Sequence, residues 1–170
     1  MREAKGDIFK AEADAVCITT NGFTKANGEC VMGRGCAKAA AQQVPGLPAI
    51  LGKLIQEHGN RVLRLWEQNG VALLSFPVKP VSREWRHPES VVAHMRSKFG
   101  PGSTVPGWAC VASLDIIVAS AHQLADMASN QGWQNIVLPR PGCGAGELEW
   151  YTVKPFLEGI LDDRFTCMTF

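Results

Sequence analysis

The feature that most restricts the fold is a group of glycines near the carboxyl end of the chain, set between an apolar run and an amphipathic stretch. The run at 134–139 (QNIVLP) is short and apolar, which predicts a buried strand. Apolar residues recur at helical spacing over 148–161, which predicts a helix. Gly142, Gly144 and Gly146 lie between the two, so a strand, a glycine-rich turn and a helix are expected to follow one another here.

Two interpretations of this turn stay open. Glycines leave backbone N–H groups accessible, and a helix that follows directly points its positive end at the same space, so a diphosphate is the expected ligand. Three glycines also suit a plain tight turn between a strand and a helix. The segment PGCGAGELEW is neither a P-loop, which ends in Gly-Lys-Ser/Thr, nor a GxGxxG dinucleotide motif. Support for a ligand must therefore come from the rest of the chain.

The rest of the chain alternates between strand and helix patterns. Strands are predicted at 14–20, 62–66, 71–76 and 165–170, and helices at 36–43, 48–58 and between a Ser113 cap and Gly132. Pro77 is expected to end its strand and to leave Lys79 just beyond it. The segment 80–112 is rich in Pro, Gly and Ser, which predicts a long loop with one short helix at 89–98. This order predicts an α/β domain with a parallel or mixed sheet and helices on both faces.

Composition indicates a folded domain and limits what can be said of its partners. The 170 residues carry a net charge of +1 and are 46% hydrophobic, which gives no electrostatic reason to expect nucleic acid as the default partner. No segment approaches the roughly 20 apolar residues of a membrane span and no signal peptide is evident, so a cytoplasmic location without membrane contact is expected. Six scattered cysteines without a CxxC pair predict reduced thiols, with neither disulfides nor a metal site.

Several of these features are expected to meet at one edge of the sheet. In open parallel sheets, ligands bind outside the carboxyl ends of the strands. Asn21, Lys79 and the glycines at 142–146 each follow a predicted strand, and a second glycine-containing loop at 27–35 precedes a predicted helix. This convergence favours a phosphate-containing ligand over a plain turn.

Five separated motifs resemble those of macrodomains and occur in the same order. They are Gly6-Asp7-Ile8-Phe9, the strand that ends at Asn21, Val31-Met32-Gly33-Arg34-Gly35, Pro141-Gly142-Cys143-Gly144, and Leu148 with Trp150. The segments FPVK at 76–79 and WRHP at 85–88 are similar to the branch that contains terminal ADP-ribose glycohydrolase and the DarG-type DNA ADP-ribosyl glycohydrolase antitoxins. The resemblance implies a single macrodomain over 1–170, with a three-layer α/β/α fold, a mixed central sheet and ADP-ribose as ligand without a further cofactor.

The resemblance also implies which residues contact ADP-ribose. Asp7, with the Ile8 backbone beside it, matches the aspartate that accepts a hydrogen bond from the adenine amine, and Asn21 matches the asparagine that faces the distal ribose. The loops that wrap the diphosphate and the distal ribose match Met32, Gly33, Arg34, Gly35, Pro141, Gly142, Cys143, Gly144, Ala145 and Gly146. Without the resemblance, Asp7 and Asn21 are ordinary turn residues.

Lys79 matches the family lysine proposed to attack the anomeric carbon of the distal ribose. An amine can form a Schiff-base adduct with a sugar carbonyl, but only in its neutral form. Burial or a nearby cation is therefore expected to lower the pKa of Lys79. The alternative is a solvated lysine at a strand end, which is where most lysines lie.

The sequence departs from the family pattern at Gly146, where the terminal glycohydrolase has an aspartate. The DarG-type proteins resemble this chain in lacking it. Glu147, Glu149, His87 and His122 are then the candidate proton carriers, although acidic residues at helix starts and lone histidines commonly have structural roles.

Two further segments suggest chemistry of their own. Cys143 is expected at a helix N-terminus, a position that lowers the pKa of a thiol. Trp85 lies beside Arg83, Arg86 and His87, and such basic and aromatic clusters suit single-stranded DNA, with a solvated loop as the alternative.

Taken with the resemblance, these residues predict an ADP-ribosyl glycohydrolase that removes ADP-ribose from a modified macromolecule, with nucleic acid as the expected target. Two alternatives stay open: a non-catalytic ADP-ribose reader, and a phosphatase that acts on ADP-ribose phosphate. The sequence gives no indication of the oligomeric state.

Overall fold

A computed structural model describes residues 1–169 of the chain. The strands are Arg2–Lys5 (β1), Ala15–Asn21 (β2), Leu63–Gln68 (β3), Val71–Lys79 (β4), Ser82–Glu84 (β5), Thr104–Pro106 (β6), Ile136–Pro139 (β7) and Phe165–Thr169 (β8). The α-helices are Gly35–Gln43 (α1), Leu47–His58 (α2), Leu114–Gln131 (α3) and Trp150–Glu158 (α4). Short 3-10 helices span Ile8–Lys10, Pro88–Ser90, Ala93–Lys98 and Gly107–Ala109.

The described residues form a six-stranded sheet in the order β1-β8-β7-β2-β4-β3. All neighbouring pairs are parallel except β3 and β4, which a tight turn at Asn69 and Gly70 joins as an antiparallel hairpin. The sheet is therefore mixed, as predicted, and the carboxyl ends of its parallel strands meet at one edge.

Helices cover both faces of this sheet, because the inner strands carry apolar side chains on each of their two faces. Along β2, Cys17 packs with Ile117 of α3 and Leu157 of α4, whereas Ile18 packs with Leu51 of α2 on the opposite face. The result is the predicted three-layer α/β/α arrangement. No helix within residues 1–169 is both long and apolar enough to cross a membrane, and the assignment of residues 1–170 to one domain stays a prediction.

Strand β4 extends beyond the point where its proline was expected to end it. Pro77 pairs with Thr20 of β2, and the strand continues to Lys79. Proline is tolerated here because pairing with β3 stops at Ser75, so that strand β4 has a neighbour on only one side at Pro77. Lys79 is consequently the last residue of a strand, and its backbone belongs to the sheet and not to a loop.

Helix α4 begins at Trp150, two residues later than predicted, and ends at Glu158 instead of residue 161. Glu147 has a φ of 61°, which is incompatible with a right-handed helix, and the Leu148 N–H donates to the carbonyl of Gly142 at 2.9 Å. The glycine segment therefore closes on itself as a loop, and no helix N-terminus follows it directly.

Two regions differ more strongly from the prediction. Strand β1 has three exposed residues out of four and was missed, because a polar edge strand carries no apolar alternation. The long loop contains a small antiparallel pair, β5 with β6, around a cluster of Val91, Val105, Ala109 and Cys110. The short helix expected at 89–98 is two 3-10 segments instead of an α-helix. Phe170, the last residue of the predicted closing strand, lies outside the described residues.

Candidate functional site

A cleft of about 330 Å³ opens at the carboxyl ends of the parallel strands. Asn21, Lys79 and Pro139, which end β2, β4 and β7, all line it. The predicted site residues that line the cleft are Asn21, Met32, Gly33, Arg34, Gly35, Lys79, Gly142, Gly144, Ala145 and Gly146. The structure therefore brings the lysine and both glycine-containing loops to one edge of the sheet.

A wider depression of about 580 Å³ lies at the amino ends of the strands, beside Arg2, Asn135 and Asp163. It is shallow, and none of the predicted site residues lines it. Ligands of open parallel sheets bind at the other edge. The smaller and more enclosed cleft is therefore the candidate site.

Lys79 is buried beneath the cleft, with 7% of its surface exposed. Its Nζ donates to the carbonyl of Ala145 at 2.8 Å and to that of Trp108 at 3.2 Å. The pKa of Lys79 is lowered from 10.5 to about 8, chiefly by burial; Cys110 and Glu147 oppose this in part, and the Arg34 guanidinium makes a smaller contribution in the same direction as burial. Near pH 8, Lys79 is therefore a neutral amine in about half of the molecules.

The helix N-terminus that faces the cleft belongs to α1, whereas the sequence predicted one directly after the last glycine loop. Gly35, Cys36 and Ala37 of its first turn line the cleft, and the preceding residue, Arg34, makes no side-chain capping hydrogen bond. Gly35 has a φ of 56°, which favours glycine. The first N–H groups of α1 are consequently not occupied by a side-chain cap, and the dipole of the helix favours an anion at this end.

The backbone of the last glycine loop explains the departure from the family pattern at Gly146. A Cβ at this position would lie 2.5 Å from the carbonyl oxygen of Gly142 and 2.7 Å from the Cβ of Ala112. The Ala112 N–H also donates to the carbonyl of Gly146 at 2.9 Å. An aspartate therefore cannot occupy position 146 without a shift of the loop, whereas Gly144 has open space around it.

The Asn21 side chain forms two hydrogen bonds that hold one wall of the cleft in place. Its Nδ2 donates to the carbonyl of Val31 and its Oδ1 accepts from the Phe23 N–H, both at 3.0 Å. The side chain thus ties the end of β2 to the loop that leads into Met32–Gly35. It keeps one N–H and one oxygen lone pair for a ligand.

Four predicted contacts lie outside the cleft lining: Asp7, Ile8, Pro141 and Cys143. The Asp7 carboxylate accepts from the Phe9 N–H at 2.9 Å and caps a 3-10 helix, and Ile8 is buried in the core. Their predicted part in adenine binding stays a prediction. Cys143 is not at a helix N-terminus, and burial raises the pKa of its thiol to about 11 instead of lowering it.

The candidate proton carriers named from the sequence do not line the cleft. His87 is exposed and faces Glu89 at 3.2 Å, and His122 is exposed on α3. Glu149 is the residue before α4. Glu147 binds the long loop instead: its Oε1 accepts from the Ala93 N–H at 2.8 Å.

Sequence analysis missed several cleft residues. They include His94 of the long loop, Cys36 of α1 and Arg140 beyond β7. No motif marks His94, because it reaches the cleft only through the fold of the long loop. Arg140 directly precedes the recognised glycine loop, and that neighbourhood was an available signal. Trp85 is partly buried against the cluster that contains Val91 and Val105, and its part in stacking on a base stays a prediction.

No protein-family model matches the sequence, and no curated protein matches it either. Solved structures do match its fold. The macrodomain of Mycobacterium tuberculosis DarG aligns with a TM-score of 0.68 and 19% identity, over 98% of this chain and 95% of that one. The macrodomain of Thermus aquaticus DarG aligns with a TM-score of 0.67 and 19% identity, over 99% and 97% of the two chains.

A third similar structure is Thermosipho africanus DarTG in complex with ADP-ribose, with a TM-score of 0.66 and 18% identity. The match covers 98% of this chain and 40% of that one. Together with the mixed sheet and its two helical layers, these similarities establish that the chain has the macrodomain fold.

Proposed function

We propose that the cleft binds ADP-ribose and that the protein is an ADP-ribosyl glycohydrolase. The observation that carries this proposal is Lys79, a buried amine at the base of the cleft whose pKa is lowered to about 8. A lysine that serves only solubility lies in water and keeps its charge. A buried amine that is partly neutral near physiological pH is a nucleophile.

The cleft suits a diphosphate through its backbone. The N-terminus of α1 and the loop around Gly142 and Gly144 face the same space, and Arg34 and Arg140 add positive charge at its rim. These local groups compensate for the low net charge of +1. The similar DarTG structure that contains ADP-ribose supports the choice of ligand.

The reaction that follows is the transfer of the distal ribose from its target to Lys79 and then to water. The neutral amine attacks the anomeric carbon, and the electron pair of the glycosidic bond leaves with the target. Water then attacks the same carbon, which releases ADP-ribose and restores the amine. The nucleophile is positioned for this step because two carbonyl oxygens hold Nζ in one place.

A nucleic-acid base is the target that the resemblance to DarG-type enzymes favours. The long loop beside the cleft carries exposed Arg86 and partly exposed Arg83, which suit phosphate contacts. A non-catalytic reader is the second candidate, and one observation favours it: no carboxylate lines the cleft within residues 1–169.

The test combines calorimetric titration of ADP-ribose with an assay of ADP-ribose release from an ADP-ribosylated single-stranded oligonucleotide. Wild type is expected to bind and to release, and Lys79→Ala is expected to bind but not to release. Lys53→Ala is the matched control, because Lys53 is exposed on α2 away from the cleft. Binding without release would favour the reader, release of inorganic phosphate from ADP-ribose phosphate would favour the phosphatase, and no binding would refute the proposal.

A further inference from the structure

His94 is the one histidine that lines the cleft within residues 1–169. It lies in the 3-10 helix Ala93–Lys98 of the long loop and is exposed to solvent. The other ionisable side chains of the lining are Arg34, Cys36, Lys79 and Arg140. Compared with the side chains of arginine, cysteine and lysine, imidazole is the group that ordinarily both gives and accepts a proton near neutral pH.

Glu147 holds the segment that carries His94. Its Oε1 accepts from the Ala93 N–H at 2.8 Å, and its Oε2 lies 3.8 Å from the Arg96 guanidinium. The residues on both sides of His94 are therefore fixed to the last glycine loop. Glu147 has a φ of 61°, and a non-glycine residue in that region indicates a conformation maintained by the contacts around it.

Position 146 of the same glycine loop has no room for a carboxylate. The Cβ of any residue at 146 would clash with Gly142 and Ala112, as described above. The Glu147 carboxylate does not line the cleft and contacts the long loop, through the Ala93 N–H and the Arg96 guanidinium. The proton that the reaction requires must then come from a side chain outside this loop or from water.

We infer that His94 gives this proton to the leaving group and that Glu147 is the residue that positions it. The inference rests on the proposed glycohydrolase function. As the glycosidic bond breaks, its electron pair goes to the leaving group, which takes a proton from the imidazolium of His94, while Lys79 bonds to the anomeric carbon. Water then attacks that carbon, its proton returns to the imidazole, and the bond to Lys79 breaks.

These two steps balance, because the proton lost by His94 in the first is regained in the second. The net reaction is hydrolysis of the glycosidic bond, with no further reactant.

The test compares two substrates that differ in how much their leaving groups need a proton. One is an ADP-ribosylated oligonucleotide, whose base must be protonated as it leaves. The other is ADP-ribose linked to 4-nitrophenol, which leaves as a stable anion. His94→Ala is expected to slow release from the oligonucleotide by about 100-fold or more and release of nitrophenol by less than about 3-fold.

Matched variants separate this role from a structural one. Glu147→Gln keeps an acceptor for Ala93 but weakens the pair with Arg96, so a smaller loss with the same leaving-group dependence is expected. His87→Ala, in the same loop but outside the cleft, is expected to behave like wild type with both substrates.

Equal losses with both substrates, or no loss in His94→Ala, would overturn the inference while leaving the glycohydrolase function intact. Lys79→Ala tests that function separately, because it is expected to abolish turnover of both substrates. A wild-type protein that turns over neither substrate would refute the proposed function and this inference with it.

Discussion

Substitution of Gly146 by alanine tests whether close packing excludes a side chain from the last glycine loop. The added Cβ would lie 2.5 Å from the Gly142 oxygen and 2.7 Å from the Ala112 Cβ, and both neighbours belong to packed backbone or to a short side chain that cannot rotate away. Overpacking of this kind costs about 1–3 kcal/mol of unfolding free energy. For a chain of this size, that corresponds to a fall in Tm of roughly 3–10 °C.

The assay is urea denaturation of wild type, Gly146→Ala and Gly144→Ala, with calorimetric titration of ADP-ribose on each. Gly144 is the matched control, because a Cβ there meets nothing within 4 Å and its φ is not positive. Its substitution is expected to change the free energy of unfolding by less than about 0.5 kcal/mol. Gly146→Ala is also expected to weaken ADP-ribose binding, because the loop must move. Equal stability of the two variants would refute the packing argument.

Three further predictions follow from the site. The pKa of Lys79 is about 8 in the folded protein against 10.5 ordinarily, so the unfolded chain binds more protons than the folded one between these pH values. The stability of wild type relative to Lys79→Met, measured by urea denaturation, should therefore increase as pH rises from 8 to 10.5. A difference that stays constant over this range would contradict the burial of the amine. Burial raises the pKa of Cys143 to about 11, so iodoacetamide at pH 8 should label it at least about 100-fold more slowly than a free thiol, measured by peptide mass spectrometry. Asn21→Ala removes two hydrogen bonds at 3.0 Å. The substitution should lower the free energy of unfolding by about 1–3 kcal/mol and should weaken ADP-ribose binding. If both quantities are unchanged, Asn21 does not hold the loop in place.

Two helices could be predicted from the sequence almost to the residue, the first from its helix-favouring alanines and glutamines and the second from its apolar spacing. The helices expected at 36–43 and 48–58 are Gly35–Gln43 and Leu47–His58. Their apolar residues face one layer of the core, so the burial pattern and the local pattern agree. The convergence of Asn21 and Lys79 followed from the topological rule for parallel sheets and is present in the structure.

Features that depend on distant contacts could not be predicted in this way. Strand β1 exists because it pairs with β8, whose residues lie more than 160 positions away in the chain, and its own residues are mostly exposed. The start of α4 depends on the left-handed Glu147, which the sequence does not mark. His94 reaches the cleft through the fold of the long loop, whose Ala93 N–H donates to Glu147, 54 positions further along the chain. Each of these is a tertiary effect that overrides local preference.

The central claim is that the amine of Lys79 bonds to the distal ribose, and trapping of that bond tests it most directly. Wild type and Lys79→Ala are incubated with the ADP-ribosylated oligonucleotide and cyanoborohydride, which reduces the imine form of a lysine–sugar adduct, and the digested protein is examined by mass spectrometry. The account predicts an ADP-ribose adduct on the peptide that contains Lys79, and none in the variant. Release of ADP-ribose with no adduct on Lys79 would contradict it.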